Sequence, residues 1–546
     1  MGRLGMVTTG IRLSATLKVI HRFVQRAPYC LPLVAAAIVH GCMVFEGYFH
    51  DDDFLHFFQI ANGGFWRFLM TSYGGHMYVV RNLVFYLLFK IFCLHPVPWY
   101  LFVLGLHLVN VKLLYELILK FTRQRRAALI FATLWGISPV SQGSLAYISV
   151  IGHVMVTTLL LWLLLDITRI KERGERIGGR VVIRWYLLLL GMAASFGIGI
   201  GIAMIFGVVA WLLLAGVSNR VRVTVALLSL WVTVPLIYLC YALLATEGMA
   251  WPPIAFSNVW FWLSTGKMFS GLVGYSLASL LLGPLILLRF ARYAIPLSEA
   301  GCLVAGFLLI LSVMMRGGSK EMRRQIMALA LLIAAVCGMI ALGRGWMSAG
   351  FGQRTPSGEA IATVRFYYAA PMLFAIWLAM IYGAACKLSG ARRRAVDGLA
   401  LTVLAVMLIP SLQAARRVYP GYGREERGLV YAISRGMRTA VVKAGQRSVV
   451  YVRNSDHYSY PLAPVGTYPG MAVIFVIVFP ANEVLGKQVC FVEQNAAVVE
   501  WARKREWSRT SKLLVTPAEA RGQPVEDIPW ASLVASERSE PSRGGP

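Results

Sequence analysis

Long apolar runs limit what this chain can fold into more than any other feature of its sequence. They follow one another between residues 29 and 415, and most approach the roughly 20 residues that an α-helix needs to cross a bilayer. Of the 546 residues, 58% are hydrophobic and 14% are charged, whereas a soluble protein is about one quarter charged. A soluble fold of this size cannot bury so much apolar surface. The sequence therefore predicts an all-α polytopic membrane protein with about 11 to 13 transmembrane helices.

Charge divides the chain into four segments. Residues 1–28 are basic and contain no acid, which predicts a cytoplasmic N-terminus. Residues 29–415 form the predicted transmembrane domain, and its first outer loop covers 48–78. Charges become frequent after residue 415, and short β-like runs predict a small α/β domain outside the bilayer over 416–518. Residues 519–546 are rich in Pro, Glu, Ser and Gly, which predicts a disordered tail.

The net charge of +28 comes from 53 Lys and Arg against 25 Asp and Glu. In a soluble protein such an excess suggests nucleic acid, but here the basic residues lie mainly between apolar runs, where they orient spans and contact anionic headgroups. We therefore predict a multi-pass protein of the plasma (inner) membrane, with the lipid bilayer as a partner and no nucleic acid.

Two basic loops, at 120–126 and 169–184, have the charge that is typical of cytoplasmic loops. Simple alternation from a cytoplasmic N-terminus places both of them outside. Either one crossing between residues 79 and 119 is miscounted, or these charges lie at the outer interface. The sequence leaves both alternatives open.

Three consecutive aspartates, Asp51, Asp52 and Asp53, follow the first apolar run in a region where acids are rare. A carboxylate beside the bilayer loses solvation and is repelled by its neighbours, so we expect one of the three to have a raised pKa. That setting suits a general base or a cation site. The alternative is a solvated stop after the first helix, or an N-cap for the next one.

The motifs that follow this cluster come in a recognisable order. The acidic pair is followed by Phe54, the next apolar run opens with an Arg-Asn step, and the one after it contains the pattern LxxHLxNxxLLY. Over roughly residues 29–170 this order resembles the GT-C superfamily of integral membrane glycosyltransferases, in the branch of protein O-mannosyltransferases and lipid A aminoarabinose transferases. The residues that carry the resemblance are Asp52, Asp53, Phe54, Arg81, Asn82, His107, Asn110 and Tyr115. Asn82 stands where such sequences commonly have Pro, and Asp51 is additional.

The resemblance implies a GT-C-like fold and a sugar donor that is linked to a polyprenyl phosphate at the outer leaflet. An acceptor hydroxyl, on a protein, a lipid or a glycan, attacks the anomeric carbon while an aspartate takes its proton. Cationic side chains stabilise the phosphate that leaves. We expect Asp52 or Asp53 to be the base, with Asp51 as the next candidate. The candidate phosphate-binding residues are Arg365, Arg344, Arg81 and Arg354, with His76 and Lys267 as weaker ones.

Other interpretations remain at this point. Arg344 and Arg365 could be interfacial anchors, and His107 is better interpreted as a hydrogen-bonded packing residue. Three adjacent aspartates can bind a divalent ion, but the sequence offers no second ligand set, so we predict no cofactor and no metal. The alternative functions are a transporter or lipid flippase, a catalytically silent membrane scaffold, and a polymerase or O-antigen ligase. Carriers usually have carboxylates in mid-span, which disfavours the first of these.

Overall fold

The structure is a computed structural model that describes residues 27–50, 52–72, 76–92, 95–244, 259–289, 294–314, 319–350, 363–386, 391–421, 448–453, 475–477, 489–493, 513–517 and 526–528. Most of the basic N-terminal segment, Asp51 and Arg354 lie outside these residues, as do most of the predicted C-terminal domain and tail. Up to residue 421 the described elements are helices and short 3₁₀ turns.

Seventeen α-helices are present in the described residues: α1 (Cys30–His40), α2 (Cys42–Glu46), α3 (Asp52–Leu69), α4 (Val79–Phe92), α5 (Pro96–Thr122), α6 (Arg125–Gly136), α7 (Gln142–Ala146), α8 (Gly152–Arg173), α9 (Gly179–Ala193), α10 (Gly197–Leu213), α11 (Arg220–Leu228), α12 (Leu230–Leu244), α13 (Val259–Arg289), α14 (Ala294–Met314), α15 (Lys320–Gly350), α16 (Ala369–Ala385) and α17 (Ala391–Gly421). In this part of the chain, five helical segments are long and apolar enough to cross a membrane, and four shorter apolar ones accompany them. The prediction of an all-α membrane protein is therefore confirmed in outline.

The helices share two ends. At one end, which we call the basic end, Lys120 in the last turn of α5 and Arg123 just after it meet Glu172 near the end of α8. Lys171 of α8 meets Glu321 at the start of α15. The opposite end, which we call the Asp53 end, contains the start of α3 and the residues just before α8. The 22 residues of α8 extend for about 33 Å between the two ends, close to the thickness of a bilayer's hydrocarbon core.

The helix α4 explains the difficulty with the basic loops. Arg81 near its start contacts Ser149, and Tyr100 near the start of α5 donates a hydrogen bond to the carbonyl of Ala146. Between them, Phe85 lies with its ring centroid 4.8 Å from that of Trp99. Because α4 begins and ends at the Asp53 end, it is not a crossing. The crossing between residues 79 and 119 was indeed miscounted, and both basic loops lie at the basic end.

The apolar run at 127–145 does not form one continuous helix. α6 ends at Gly136, and a 3₁₀ turn at Pro139–Ser141, the short α7 and a second 3₁₀ turn at Ile148–Val150 follow. All residues from 132 to 154 are buried. Non-helical backbone at membrane depth is tolerated only where protein covers it, and this buried segment carries several of the residues that contact the acidic pair.

Close helix contacts account for the GIGIG run. The residues from 185 to 216 contain the second part of α9 and the whole of α10, which begins at Gly197. A Cβ atom at Gly201 would come within 2.3 Å of the Met339 side chain and 2.9 Å of the Ala335 carbonyl of α15. Small residues allow helices in membranes to approach in this way, so Gly201 of this run lets α10 pack closely against α15.

Five short strands lie in the C-terminal region: β1 (Ser448–Arg453), β2 (Phe475–Ile477), β3 (Val489–Glu493), β4 (Leu513–Pro517) and β5 (Glu526–Ile528). They form one sheet in the order β2-β3-β1-β4-β5. β1 pairs in parallel with β3 and β4, and the two edge strands are antiparallel to their neighbours. β5 falls within the segment that was expected to be a disordered tail.

Candidate active site

Asp53 lies in the first turn of α3 and is completely buried. Its Oδ1 accepts hydrogen bonds from the backbone N–H of Ser149 at 2.7 Å and from the Ser149 hydroxyl at 2.5 Å. Its Oδ2 accepts a hydrogen bond from the backbone N–H of His50 at 3.0 Å, and the His50 carbonyl accepts one from the Asp53 N–H. Asp53 and His50 thus form a turn at the start of α3, but the Asp53 carboxylate accepts from residues outside that helix, so Asp53 is not its N-cap.

Burial raises the pKa of Asp53 to about 7, although the hydrogen bonds from Ser149 and His50 act in the opposite direction. The cause is the loss of solvation of the charged form. The expectation that one aspartate of the cluster has a raised pKa is therefore supported for Asp53. A value near neutrality suits a general base, but a base must also reach the proton that it takes, and this carboxylate is fully enclosed.

Arg81 approaches the same serine from the other side. Its Nε and Nη2 donate hydrogen bonds to the Ser149 carbonyl at 3.1 and 2.7 Å, and its Nη1 donates one to Oδ1 of Asn82 at 2.8 Å. The guanidinium also lies 4.9 Å from the ring centroids of Tyr78 and Phe85. Arg81 is fully buried, so it acts as a counter-charge and a brace for the acidic pair instead of facing a ligand.

Asn82 extends this brace. Its Nδ2 donates hydrogen bonds to the carbonyls of Phe68 at 2.9 Å and Thr71 at 3.0 Å, at the end of α3. The Arg-Asn step therefore ties the two ends of α3, one through Ser149 and the other through Asn82. The departure from Pro at this position has a clear structural use.

Asp52 and Arg365 meet at one tyrosine. The backbone N–H of Asp52 donates a hydrogen bond to the Tyr147 hydroxyl at 3.1 Å, and the Arg365 guanidinium lies 5.9 Å from the centroid of the Tyr147 ring. Asp52 is partly exposed, unlike Asp53. Tyr147 thus brings together two of the predicted site residues, which are more than 300 positions apart in the chain.

Arg365 is anchored by its backbone and not by its charge. The Ser144 hydroxyl donates a hydrogen bond to the Arg365 carbonyl at 3.0 Å. Its guanidinium forms no salt bridge with any residue that the structure describes, and its Nε is buried without a hydrogen-bond partner there. An arginine in this state has unused donors for an anionic group.

The structure does not bring the remaining predicted site residues into contact with Tyr147 among the contacts it describes. His76 stacks on Phe196 with a centroid distance of 4.9 Å and lies 5.3 Å from Tyr78, so it reaches Arg81 only through that ring. Arg344 belongs to α15, but its side chain lies outside the described part, and so do Asp51 and Arg354 entirely. Lys267 is exposed on α13.

A buried polar network supports the segment that carries Arg365. His107 bonds through Nδ1 to the Tyr368 hydroxyl at 2.8 Å and donates from Nε2 to the Gly136 carbonyl at 3.0 Å. His40 contacts the same carbonyl at 3.0 Å and the Tyr419 hydroxyl at 2.7 Å. His107 therefore has the hydrogen-bonded packing role that its sequence context favoured.

The basic end contains a cavity of about 400 Å³ with a different character. Glu172 pairs with Lys120 and, at 3.0 Å, with Arg123. Lys171 pairs with Glu321 at 2.5 Å. Each of the three cations that line the cavity therefore has a carboxylate partner, unlike Arg365 among the described residues.

Sequence reasoning did not single out Tyr147, Ser149 or Ser144, although all three hold the site. A signal was available, because the run SPVSQGSLAYIS places Pro139, Gly143 and several small polar residues inside an apolar region. Such breakers predict an interrupted helix, and interrupted helices in membrane proteins line buried functional regions.

In the described residues, no group of three or more His, Cys, Asp or Glu side chains is arranged to hold a metal ion. No protein-family model matches this chain, and no curated protein is found to be similar to it.

Proposed function

We propose that this chain is a membrane glycosyltransferase that moves a sugar from a polyprenyl phosphate to an acceptor hydroxyl at the extracytoplasmic face. The observation that carries the proposal is the meeting of Asp52 and Arg365 at Tyr147. Asp52 and an arginine with no charge partner among the described residues, placed around the same tyrosine, would supply the base and the phosphate partner that such a transfer needs.

The two described aspartates take different roles in this proposal. Both oxygens of Asp53 are occupied by donors from Ser149 and His50, and no solvent reaches it. Asp52 is partly exposed beside Tyr147. We therefore assign the base to Asp52 and a positioning role to Asp53, which fixes the first turn of α3.

The reaction is a single displacement. The acceptor oxygen forms a bond to the anomeric carbon while the bond from that carbon to the phosphate oxygen breaks. The proton of the acceptor hydroxyl goes to Asp52, and the bonding electrons leave with the polyprenyl phosphate. Arg365 binds the charge that develops on that phosphate, because its fork of N–H donors fits phosphate oxygens. Such a displacement inverts the configuration, so a retained configuration by NMR would contradict it.

The finer assignments belong to the same proposal. The Asp53 end faces the extracytoplasmic side of the plasma membrane, and the basic end is cytoplasmic by the charge rule. The proposal also includes a small α/β domain over 416–518, and the strands β1 to β4 support it. The acceptor class stays open among protein, lipid and glycan.

Radiolabelled transfer tests the proposal. Purified full-length chain is incubated with a panel of polyprenyl-phosphate sugars and a membrane extract as acceptor. We expect transfer by the wild type and a loss of about 100-fold or more in Asp52→Asn, since general-base catalysis contributes at least this much. Glu46→Gln is the matched control: it makes the same carboxyl-to-amide change at an exposed position at the end of the preceding helix, α2.

Transfer that survives in Asp52→Asn at the level of Glu46→Gln would remove Asp52 from the mechanism and make Asp51 the next candidate. No transfer from any donor, together with movement of a lipid-linked sugar between leaflets of vesicles, would favour the flippase alternative instead.

A further inference from the structure

A lipid-facing groove runs along α9 beside α8, from Arg180 at the basic end to Val80 near the start of α4. Its volume is about 520 Å³, and its lining is mostly apolar. The lining residues are Val80, Leu159, Arg180, Ile183, Arg184, Leu187, Leu188 and Gly191. Ile183 and Leu187 are each 61% exposed, so this face of α9 is not covered by another described helix.

One end of the groove is cationic. Arg180 and Arg184 lie one turn apart on α9, at the basic end of the bundle. Arg184 is paired with Asp166 of α8, which also accepts a hydrogen bond from Trp185 Nε1 at 2.6 Å. Arg180 has no acidic partner in the part of the chain that the structure describes. The groove therefore has at its basic end a cation with no acidic partner among the described residues.

The dimensions of the groove fit one leaflet. From Arg180 to Gly191 the helix rises about 17 Å, and half of a typical hydrocarbon core is about 15 Å. Gly191 leaves the inner end open, since the nearest atom to a Cβ built there is Leu159 Cδ1 at 3.7 Å. Val80 closes that end, where its N–H donates to the Ala194 carbonyl at 2.9 Å.

We propose that this groove binds an anionic phospholipid of the leaflet at the basic end, with its phosphate at Arg180 and one acyl chain along Ile183, Leu187 and Gly191. Charge complementarity supports an anionic headgroup, because a basic residue near the membrane surface attracts such lipids. The apolar lining and its length support an acyl chain. The proposal does not depend on the glycosyltransferase proposal.

The position of the cation argues against the sugar donor as the occupant. Arg180 is at the end opposite to Asp52 and Arg365, and α8 separates the two ends by about 33 Å. A polyprenyl phosphate that reacts at the Asp53 end would place its phosphate beside Tyr147 and not beside Arg180. The groove is therefore a second lipid site with its own headgroup contact.

Native mass spectrometry of the full-length chain in detergent tests this site. The probes are dioleoyl phosphatidylglycerol and dioleoyl phosphatidylcholine, added separately at matched concentrations. We expect tighter binding of one phosphatidylglycerol than of phosphatidylcholine, and an affinity about fivefold lower in Arg180→Ala, the size of effect that one basic residue has at a membrane surface. Arg180→Lys should retain most of the affinity because the charge remains.

Arg176→Ala is the matched control, since it removes the same charge from the same basic loop but does not line the groove. It should lower the affinity less than twofold. Gly191→Leu fills the inner end without a change in charge and should weaken binding of both phospholipids. If this variant does not fold, the comparison of Arg180→Ala with Arg176→Ala decides the question by itself.

Three results would overturn the proposal. Equal affinity for the two phospholipids would contradict recognition of the anionic headgroup by Arg180. Equal losses in Arg180→Ala and Arg176→Ala would show a diffuse charge effect in place of a site. Displacement of phosphatidylglycerol by a polyprenyl phosphate, with the loss of that binding in Gly191→Leu, would make the groove a donor site.

Discussion

At the basic end of the bundle, Lys120 and Arg123 share Glu172 in direct, partly exposed ion pairs. At the Asp53 end, Arg81 and Asp53 are both fully buried and meet through Ser149, whose carbonyl accepts from one and whose N–H and hydroxyl donate to the other. Exposed pairs contribute little to stability, whereas buried charges must be satisfied completely. The charges at the Asp53 end are therefore buried inside the fold and hold it together, whereas those at the basic end lie at the surface.

Arg365 adds a second difference between the ends. At the basic end the described cations around the cavity have carboxylate partners, while Arg365 lies beside Tyr147 without one among the described residues. An unsatisfied buried donor costs free energy, and functional sites are where such costs persist. The contrast favours a catalytic site at the Asp53 end and lipid contact at the basic end.

Arg81→Met should have the largest effect on stability. It leaves Asp53 buried without its counter-charge and the Ser149 carbonyl without two donors, so we expect the free energy of unfolding to fall by about 3–5 kcal/mol. Chemical unfolding in detergent measures it. Arg123→Met at the basic end is the matched control and should cost about 1 kcal/mol or less. Equal losses would mean that burial does not separate the two ends.

Arg365→Gln should lower sugar transfer by about 100-fold while the unfolding free energy stays close to that of the wild type. The reason is that Arg365 has no charge partner to lose in the described fold, but its charge would stabilise the leaving phosphate. Arg126→Gln, which breaks an ion pair with Asp397 at the basic end, is the control for transfer. Transfer at the wild-type rate in Arg365→Gln would contradict this role and favour the alternative that Arg365 is an interfacial anchor.

The titration of Asp53 should make stability depend on pH. Its pKa is raised from 3.8 to about 7 in the folded chain, so between these values the folded state holds a proton that the unfolded state has lost. Stability should then fall as the pH rises from about 4 to about 7 and should level off above that range. Asp53→Asn removes the titration, and we expect a flatter profile of melting temperature against pH. A slope that persists in Asp53→Asn would assign the pH dependence to another group.

The smallest effect on stability is expected for Glu172→Gln at the basic end. Loss of its pairs with Lys120 and Arg123 should lower the unfolding free energy by about 1 kcal/mol or less. The difference from the wild type should shrink further in high salt, since salt screens exposed charges. A large effect that is independent of salt would place these pairs with the buried charges of the Asp53 end.

Much of the secondary structure was predictable because long apolar runs predict helices in a membrane protein. The apolar residues between 29 and 415 were expected to be helical, and the described elements up to residue 421 are helices and short 3₁₀ turns. Two features were not predictable in this way. α4 is apolar enough to be counted as a span, yet Phe85 and Trp99 hold it at one end of the bundle. The run at 127–145 is apolar because protein buries it, and not because it crosses as one helix.

The candidate site divides in the same way. The acidic pair and Arg365 could be selected from residue types and their order. Arg81 was selected for the same reason, but its donors are taken up by Ser149 and Asn82. Whether an arginine faces a ligand or braces a helix depends on what surrounds it, and those neighbours come from distant parts of the chain.

By itself, the sequence determined that this is a helical membrane protein with a rare acidic cluster after its first apolar run. Apolar runs and scarce charges act locally, since each residue contributes its own transfer free energy to a span. Only the tertiary structure decided which end each loop occupies, which aspartate is enclosed, and that Tyr147 joins Asp52 to Arg365. These outcomes depend on contacts between residues about 95 to 220 positions apart, and burial and charge compensation at such contacts are properties of the folded chain alone.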